Sequence, residues 1–405
     1  MSDEKRKKEV LYIWPYLEWG GAQIYFMGLM KLAQARYAVR ALMPVGSSER
    51  LLSYLDELNV PCEFFDAHLD MSPASTLASK VRRRWRKAFS EIVIARYLGW
   101  SRVRRSLLHV DFGPWSSFWL LLYLSLRSEV FVTLHTALPH ASWLRRQEWK
   151  LKFRLLCALG GFHLLASNRD MIESLKPYLT SRMIAGIPLA YSGVDRLEID
   201  QTFEVNFDRL ALCETFNLPH ECFFVFGMGQ FIERKGCWVL LETARELLQT
   251  YPDLRFVWIG TMQPNQETTQ RIEEYKLGEK FRLMTPTDIG TGRAELLSLL
   301  HLADLFVLPS FNEGLPVALI EAMAMGRACI ASNINAVPEA IQDGETGILV
   351  SPGNSRALAS AIALLRVDAV NRQRVAANGR DFVLRNFDER VTAQVTVDKY
   401  DELSR

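Results

Sequence analysis

The chain has 405 residues, of which 49% are hydrophobic and 23% are charged, and its formal net charge is +2 at pH 7. This length exceeds what one hydrophobic core usually serves, so we expect two domains. The balanced composition excludes a disordered or fibrous chain and is typical of a folded enzyme.

The N-terminus and the apolar segments predict neither export nor a membrane span. Residues 1–9 mix acids with bases and lead directly into a strand-like segment, unlike a signal peptide. The longest apolar run, residues 115–126, is about 12 residues long, short of the roughly 20 that span a bilayer. The six cysteines form no CxxC pair and no metal-ligand spacing. We therefore expect a cytoplasmic protein without a metal site or a disulfide framework.

Short apolar, β-rich runs alternate with helix-period segments, which predicts parallel sheets built from βαβ units. The predicted strands of the first half are residues 10–14, 37–43, 62–65, 107–112, 130–135, 163–166 and 187–191. Those of the second half are residues 223–227, 256–260, 281–284, 305–308, 328–331 and 348–350. The alternation restarts after an irregular stretch, residues 199–218. This pattern predicts an α/β fold of two Rossmann-like domains, with ligands at the carboxyl ends of the strands in the cleft between the domains.

Basic residues are concentrated in the first half of the chain. Residues 1–200 hold 28 Lys and Arg against 19 Asp and Glu, whereas the remainder holds 20 against 27. Much of the excess lies in residues 80–105, followed by Arg145 and Arg146, with four tryptophans interleaved: Trp85, Trp100, Trp143 and Trp149. Such segments bind anionic lipid, so contact with an anionic membrane surface is one expectation. A solvated helix face is the equal alternative, and nucleic acid is disfavoured because no recognition motif accompanies the charge.

A predicted strand at residues 223–226 leads into a glycine-containing turn and a loop that ends at Gly236. Gly229 permits close approach of the backbone to a ligand, and Lys235 can place its ammonium on a phosphate. Turns of this kind recur by chance. Taken alone, the pattern therefore favours a purely structural turn.

A second segment places a carboxylate and a helix start together. Residues 305–310 predict a buried strand, followed by Glu313 and by a helix that begins at Pro316. The unpaired N–H groups at a helix start suit a diphosphate or the hydroxyls of a sugar. Since Pro316 has no N–H, the expected donors are its neighbours, Leu315, Val317 and Ala318.

Glu321 interrupts the otherwise apolar helix at residues 317–325. A carboxylate buried there without partners costs several kcal/mol. The two hydroxyls of a ribose would satisfy both of its oxygens. A salt bridge to a local arginine such as Arg327, or exposure to water, is the equal alternative.

Together these segments resemble the retaining glycosyltransferases of the GT-B type that are numbered family 4. Glu313 and Glu321 fit the E-x7-E motif of that family, and residues 229–236 fit its G-R-x4-K-G loop. The block that closes the family's donor domain fits Pro338 and Glu339 and residues 344–350. The first half resembles the family less closely, at residues 20–23, 133–135, 166–168 and 192–195.

The resemblance implies an acceptor-side domain at residues 1–198, a donor-binding domain at 199–386, and a terminal helix at 387–405 that packs back on the first domain. It implies transfer of a hexose, with retention, from a UDP- or GDP-linked sugar to an acceptor hydroxyl. The acceptor would be a saccharide or a lipid-linked saccharide in surface polysaccharide, lipopolysaccharide or glycolipid synthesis. No cofactor and no metal ion are implied.

The resemblance also implies roles for individual residues. Glu321 would bind the donor ribose, Glu313 the hydroxyls of the transferred sugar, and Lys235 the diphosphate. His135 would lie beside the donor sugar, although a strand-end histidine capped by backbone groups is the alternative. The remaining donor-binding positions are Gly20, Gly21, Gln230, Gly314, Leu315 and Val317.

Gln230 departs from the family pattern, which commonly has arginine there. A fixed positive charge is thereby lost near the leaving diphosphate. This departure keeps open a GT-B scaffold with weakened catalysis. A sugar-nucleotide epimerase or a phosphorylase on the same fold is the other rival, but the lysine context of a pyridoxal-dependent phosphorylase is not found.

Overall fold

The structure is a computed structural model that describes residues 7–15, 17, 21–66, 76–103, 106–139, 141–204, 208–290 and 292–404. The chain forms two compact units, Met1–Tyr191 with Arg390–Arg405, and Ser192–Glu389. Each unit is built on a parallel six-stranded sheet with helices on its faces. The predicted α/β class with two Rossmann-like domains is confirmed.

The sheet of the first unit has the strand order β3-β2-β1-β4-β5-β6. Its strands are β1 (Glu9–Ile13), β2 (Ala38–Pro44), β3 (Cys62–Phe65), β4 (Ser106–Val110), β5 (Val130–Leu134) and β6 (Phe162–Ala166). Its first seven helices are α1 (Gly21–Ala33), α2 (Glu49–Glu57), α3 (Leu77–Val103), α4 (Phe118–Ser125), α5 (Trp143–Cys157), α6 (Arg169–Leu175) and α7 (Ser181–Ala185).

Apolar residues on both faces of this sheet are buried, as expected for a parallel sheet covered on both sides. One core cluster joins α3, α4 and α5 to the face that carries Leu11 and Val132. The other joins α1 and α2 to the face that carries Tyr12 and Phe131. The terminal helix, α18 (Glu389–Ser404), belongs to this unit from Arg390 onward and contributes Val397 to that second cluster.

The second unit has the sheet order β12-β11-β10-β7-β8-β9. Its strands are β7 (Phe223–Met228), β8 (Leu254–Ile259), β9 (Phe281–Met284), β10 (Leu305–Leu308), β11 (Ala328–Ser332) and β12 (Ile348–Val350). The helices are α8 (Arg196–Glu204), α9 (Arg209–Thr215), α10 (Cys237–Leu247), α11 (Gln266–Glu273), α12 (Pro286–Ile289), α13 (Arg293–His301), α14 (Val317–Ala324), α15 (Val337–Ala340), α16 (Ser355–Val367) and α17 (Ala369–Asn386).

Counted within each unit, both sheets follow the order 3-2-1-4-5-6. The order of the strands reverses between the first and fourth strands, which are β1 and β4 in the first unit and β7 and β10 in the second. Ligands of such sheets bind at the carboxyl ends of the strands beside this switch point. A ligand of the second unit is therefore expected to bind at the loops after β7 and β10.

The structure confirms twelve of the thirteen predicted strands to within a few residues. The strand predicted at residues 187–191 is wrong, because only an isolated bridge pairs Leu189 with Ala166. Pro188 offers its carbonyl to Ala166 but has no N–H to donate, so the ladder does not extend.

Two further expectations need correction. Trp149, which we grouped with interfacial tryptophans, is 7% exposed and lies in the core under α5. The stretch at residues 199–218, read as irregular, contains α9 and most of α8. Among the described residues, no helix is both long enough and apolar enough to cross a membrane.

Candidate functional site

The turn after β7 is shaped by the indole of Trp258. A Cβ at Gly227 would lie 2.9 Å from this ring, and Trp258 Nε1 donates a hydrogen bond to the Gly229 carbonyl oxygen at 2.8 Å. Gly229 has φ +139°, a conformation that favours glycine. A Cβ at Gly229 would also lie 3.4 Å from Cε of Lys235. The glycines therefore leave room for both the indole and the lysine stem.

The loop after β7 is fastened to the loop after β10. Gly236 has φ +71°, and a Cβ there would lie 1.9 Å from the Pro309 carbonyl oxygen, so no other residue fits without rearrangement. Phe311 N donates to the Arg234 carbonyl oxygen at 2.8 Å, and Arg234 Nη1 donates to the Asn312 carbonyl oxygen at 2.9 Å. The two segments singled out in the sequence thus meet at the switch point of the sheet.

Lys235 and Glu313 form an ion pair where these loops meet. Lys235 Nζ lies 2.7 Å from Oε1 and 2.9 Å from Oε2 of Glu313. Ser310 Oγ donates a third hydrogen bond to Oε1, also at 2.7 Å. The Lys235 and Glu313 side chains are only 17% and 6% exposed. Charge-assisted bonds in such a setting hold both groups in defined positions, and they place an ammonium beside the carboxyl end of β7.

Glu321 lies on α14, the helix that follows the loop of Glu313, and pairs with an arginine that the sequence did not indicate. Arg293 Nη1 donates to Glu321 Oε1 at 2.7 Å, and Arg293 Nε donates to Glu198 Oε1 and Oε2 at 3.0 and 2.9 Å. Glu321 is 1% exposed. The three side chains form a buried triad that joins α8, α13 and α14.

The alternative that we gave for Glu321, a salt bridge to an arginine such as Arg327, is right in kind, since Glu321 pairs with Arg293, but the named partner is wrong. Arg327 donates to backbone carbonyl oxygens instead, those of Met325, His301 and Ala303. Burial opposes the charge on Arg293, but the carboxylates of Glu321 and Glu198 outweigh it and raise the pKa of Arg293. Arg293 therefore remains a fixed cation beside Glu321.

The start of α14 lies between these two ion-paired groups along the chain. Pro316 is the N-cap residue of the helix, and its side chain makes no capping hydrogen bond. The carbonyl oxygen of Pro316 accepts from the N–H groups of Leu319 and Ile320. Leu315 and Val317 are 6% and 5% exposed, so the predicted donors flank a mostly buried helix start. Gly314 and Gln230 are both partly exposed.

The predicted site residues of the first unit are His135, Gly20 and Gly21. His135 follows β5, and its ring centroid lies 5.0 Å from that of Tyr25 on α1. Asn168 Nδ2 donates to the His135 carbonyl oxygen at 3.0 Å. The ring atom Nε2 is buried and has no hydrogen-bond partner among the described residues. Gly21 is the first residue of α1, whereas Gly20 lies outside the described residues.

Burial lowers the pKa of His135 to about 4, below that of an ordinary histidine. The unfolded chain therefore takes up a proton at this residue between pH 6.5 and pH 4, whereas the folded chain does not, so acidification destabilises the fold. We expect His135→Asn to reduce the loss of unfolding free energy between pH 7 and pH 5 by up to about 2 kcal/mol. Urea unfolding at both pH values tests this, with exposed His220→Asn as control; equal losses in all three proteins would contradict it.

A buried polar network extends behind His135. His109 Nε2 lies 2.8 Å from Thr133 Oγ1, and Tyr25 OH lies 3.4 Å from Thr133 Oγ1 and 3.1 Å from Thr396 Oγ1. His109 Nδ1 is hydrogen-bonded to Tyr400 OH on α18. Burial lowers the pKa of His109 well below its ordinary value. The network therefore fixes Tyr25, whose ring contacts His135.

Asp111 is another group that the sequence did not single out. It follows β4, the strand next to β5, and its N–H donates to the Ile13 carbonyl oxygen at 3.0 Å. Burial raises the pKa of Asp111 to about 7. In the part of the chain that the structure describes, no group of three or more His, Cys, Asp or Glu is arranged to hold a metal ion.

Comparison with known proteins finds a family match in the second unit. Residues 222–368, which hold β7 to β12, match the family described as glycosyl transferases group 1. The chain is 31% identical over 216 residues to phosphatidyl-myo-inositol mannosyltransferase of Mycobacterium leprae, covering 52% of this chain and 55% of the relative. The chain spans about half the length of the first curated relatives it matches.

Two solved structures share the fold over the whole chain. A glycosyltransferase of Rickettsia africae has a TM-score of 0.73 at 19% identity, covering 98% of this chain and 99% of the other. HepE of Anabaena, crystallised with UDP-glucose, has a TM-score of 0.72 at 16% identity, covering 98% and 100%. At these identities the likeness concerns the fold alone, which is that of the GT-B glycosyltransferases.

Proposed function

We propose that this chain is a retaining glycosyltransferase that moves a hexose from a UDP- or GDP-linked sugar to an acceptor hydroxyl. The observation that carries the proposal is the Lys235–Glu313 pair at the switch point of the second sheet. It lies inside the segment that matches the family. Nucleotides bind at this place in sheets of this order.

In the proposed complex each carboxylate contacts a different part of the donor. Oε1 of Glu321 is bound by Arg293, and Oε2 is the atom that we assign to the ribose hydroxyls. Lys235 contacts the diphosphate while Glu313, held by Ser310, accepts from hydroxyls of the sugar. The N–H groups at the start of α14 add donors for the same ligand.

The proposed reaction breaks the bond between the anomeric carbon and the diphosphate and forms a bond to the acceptor oxygen on the same face. The acceptor oxygen attacks the anomeric carbon directly, so no side chain acts as nucleophile. The acceptor proton passes to an oxygen of the departing phosphate. Negative charge accumulates on the leaving diphosphate, where a preorganised ammonium stabilises it most. Lys235 and the helix start would supply this stabilisation without a metal ion. His135, with the unpartnered Nε2, is the proposed contact of the sugar in the first unit.

The acceptor that we propose is a saccharide or a lipid-linked saccharide of surface polysaccharide, lipopolysaccharide or glycolipid synthesis. The chain would then work in the cytoplasm, at the inner face of the cell membrane. The basic residues between 80 and 105 support such a location because they favour anionic surfaces.

A panel of UDP- and GDP-sugars tests the proposed function. We expect one nucleotide series to raise the melting temperature and one member to be hydrolysed or transferred, with retention determined by proton NMR of the product. Lys235→Met should lower turnover by about 100-fold or more, whereas Lys176→Met, which changes an exposed lysine of the first unit, should leave turnover unchanged. Absence of both a thermal shift and turnover with every donor would contradict the proposal and favour a scaffold that has lost catalysis.

Gln230 offers a narrower prediction. It lies two residues after the end of β7, where the family that the sequence resembles commonly has an arginine. We expect Gln230→Arg to preserve or raise kcat, by up to about tenfold, because an added cation would face the developing charge. Steady-state kinetics with the active donor measure this, and Gln230→Ala separates added charge from lost amide contacts. A collapse of kcat in Gln230→Arg would show that the amide has its own role.

A further inference from the structure

The outer surface of α3 is apolar where a helix covering a sheet is normally polar. Its inward residues Ile94 and Leu98 lie in the core, as expected. Its outward line carries Trp85, Phe89 and Ile92, which are 74%, 50% and 56% exposed. The spacing of four and three residues places these three side chains on one stripe of the helix. The apolar stripe therefore faces away from the protein.

The two neighbouring helices repeat this arrangement. After Trp119 on α4, which is 75% exposed, Leu126 follows seven residues later and is 61% exposed. On α5, Leu144, Leu151 and Leu155 are 73%, 60% and 48% exposed, at spacings of seven and four residues. Since α3, α4 and α5 all cover the same face of the first sheet, their outward stripes share one surface. We call this surface the outer helical face.

The charge around the outer helical face is strongly positive. Residues 81–99 of α3 contain six Lys and Arg and a single acid, Glu91, whose side chain is 16% exposed and lies beside Lys87. Arg82, Arg83 and Arg84 are exposed on α3. On α5, Glu148 is paired with Lys152, and three arginines are exposed, Arg145, Arg146 and Arg154. Arginines thus surround the apolar stripes.

Apolar stripes surrounded by arginines favour one kind of binding partner over others. A second copy of the chain docked through the same face would bring arginines against arginines, which is unfavourable. A nucleic acid would pair with the arginines but would leave the leucine and tryptophan side chains without apolar contacts. An anionic bilayer satisfies both, because headgroup phosphates pair with arginine and the interface accepts tryptophan and leucine.

We propose that the outer helical face binds a membrane that contains anionic phospholipid, with Trp85, Trp119 and Leu151 entering the interface. In this arrangement the first unit is held on the bilayer by three helices rather than by the basic segment alone. The inference rests on the proposed function in one respect, that the chain would act on acceptors anchored in the same membrane. The binding itself does not depend on turnover.

Sedimentation of the full chain with vesicles tests the proposal. Vesicles of phosphatidylcholine are compared with vesicles that also contain phosphatidylglycerol. We expect binding to the anionic vesicles only, and a loss of at least about tenfold in Trp85→Ser with Phe89→Ser, because apolar area no longer enters the interface. Arg83→Glu with Arg84→Glu should lose a similar factor at low salt.

Matched controls lie on the second unit. Val367→Ser with Val370→Ser removes two residues that are 68% and 78% exposed, and Arg385→Glu reverses a charge that is 74% exposed. Both controls should bind vesicles like the unaltered chain. The proposal would be overturned by equal binding of all variants or by equal binding to both vesicle types. It would also be overturned if the unaltered chain sedimented as a dimer and the Trp85 variant as a monomer. So would nucleic-acid binding that replaces vesicle binding.

Donor hydrolysis in the absence of vesicles separates this test from that of the proposed function. The outer-face variants should hydrolyse the donor at the unaltered rate while losing vesicle binding. Conversely, Lys235→Met should lose hydrolysis and keep vesicle binding. If hydrolysis is absent from every protein and vesicle binding still depends on Trp85, the proposed function fails and the membrane contact stands.

Discussion

Replacing Lys235 by methionine is expected to lower kcat by about 100- to 1,000-fold with the active nucleotide sugar, the range found when one preorganised donor to a developing anion is removed. Methionine keeps the length and apolar character of the stem, which lies beside Gly229, and removes only the charge. The donor dissociation constant should rise much less than kcat falls, because the ammonium acts mainly on charge that develops as the diphosphate leaves.

Loss of folding has to be separated from loss of chemistry in this variant. Without Lys235, the carboxylate of Glu313 is buried and keeps only the Ser310 hydroxyl among the side-chain partners described. Removing one member of such a pair destabilises a protein by roughly 3 kcal/mol. The double change Lys235→Met with Glu313→Gln removes both charges, so we expect most of the unfolding free energy to return while kcat stays low.

Chemical denaturation and steady-state kinetics on the same three proteins decide between the two roles. If the pair is purely structural, the double variant should recover turnover together with stability. If Lys235 acts on the diphosphate, stability and turnover separate. Lys176→Met, which removes an exposed ammonium of the first unit, should change neither quantity.

The sequence predicted those parts of the structure that depend on residues close together along the chain. Twelve strands were found because apolar runs and turn residues are local signals. The meeting of residues 223–236 with 305–316 was also predictable in outline, since parallel strands bring their carboxyl-end loops to one edge of a sheet. The missing strand at Pro188 shows the limit of the apolar pattern, because its failure depends on one absent N–H group.

The parts that were missed depend on contacts between distant segments. Arg293 lies 28 residues from Glu321 and meets Glu198, 95 residues away, through the packing of α8 on α13. Nothing in the local pattern around Glu321 indicates which arginine is in reach, so the nearby Arg327 was the natural candidate. Likewise His109 meets Tyr400 across 291 residues. Trp149 is buried and Trp143 exposed because they lie on opposite sides of α5, a difference that composition alone does not convey.

The buried triad leads to the second large effect. Arg293→Met should lower the free energy of unfolding by about 3 to 5 kcal/mol, because it leaves the carboxylate of Glu321 without its cation at 1% exposure. Arg245→Met is the matched control, since Arg245 Nη2 also lies 2.7 Å from a carboxylate but both side chains are about half exposed. Exposed pairs of this kind contribute about 1 kcal/mol or less. A similar loss in both variants would mean that Glu321 does not retain a buried charge.

The same triad separates donor affinity from turnover. Glu321→Ala should raise the donor dissociation constant at least about tenfold by calorimetry, since a charge-assisted bond to a ribose hydroxyl is worth more than about 1.4 kcal/mol. In Arg293→Met with Glu321→Gln the only carboxylate of the triad left without its cation is that of Glu198, which is 25% exposed, so most of the stability should return while donor affinity stays low. Turnover at saturating donor should change little, because the ribose lies away from the bond that breaks. Unchanged donor affinity in Glu321→Ala would show that this carboxylate does not bind the ribose. The triad would then be only a structural link between α8, α13 and α14.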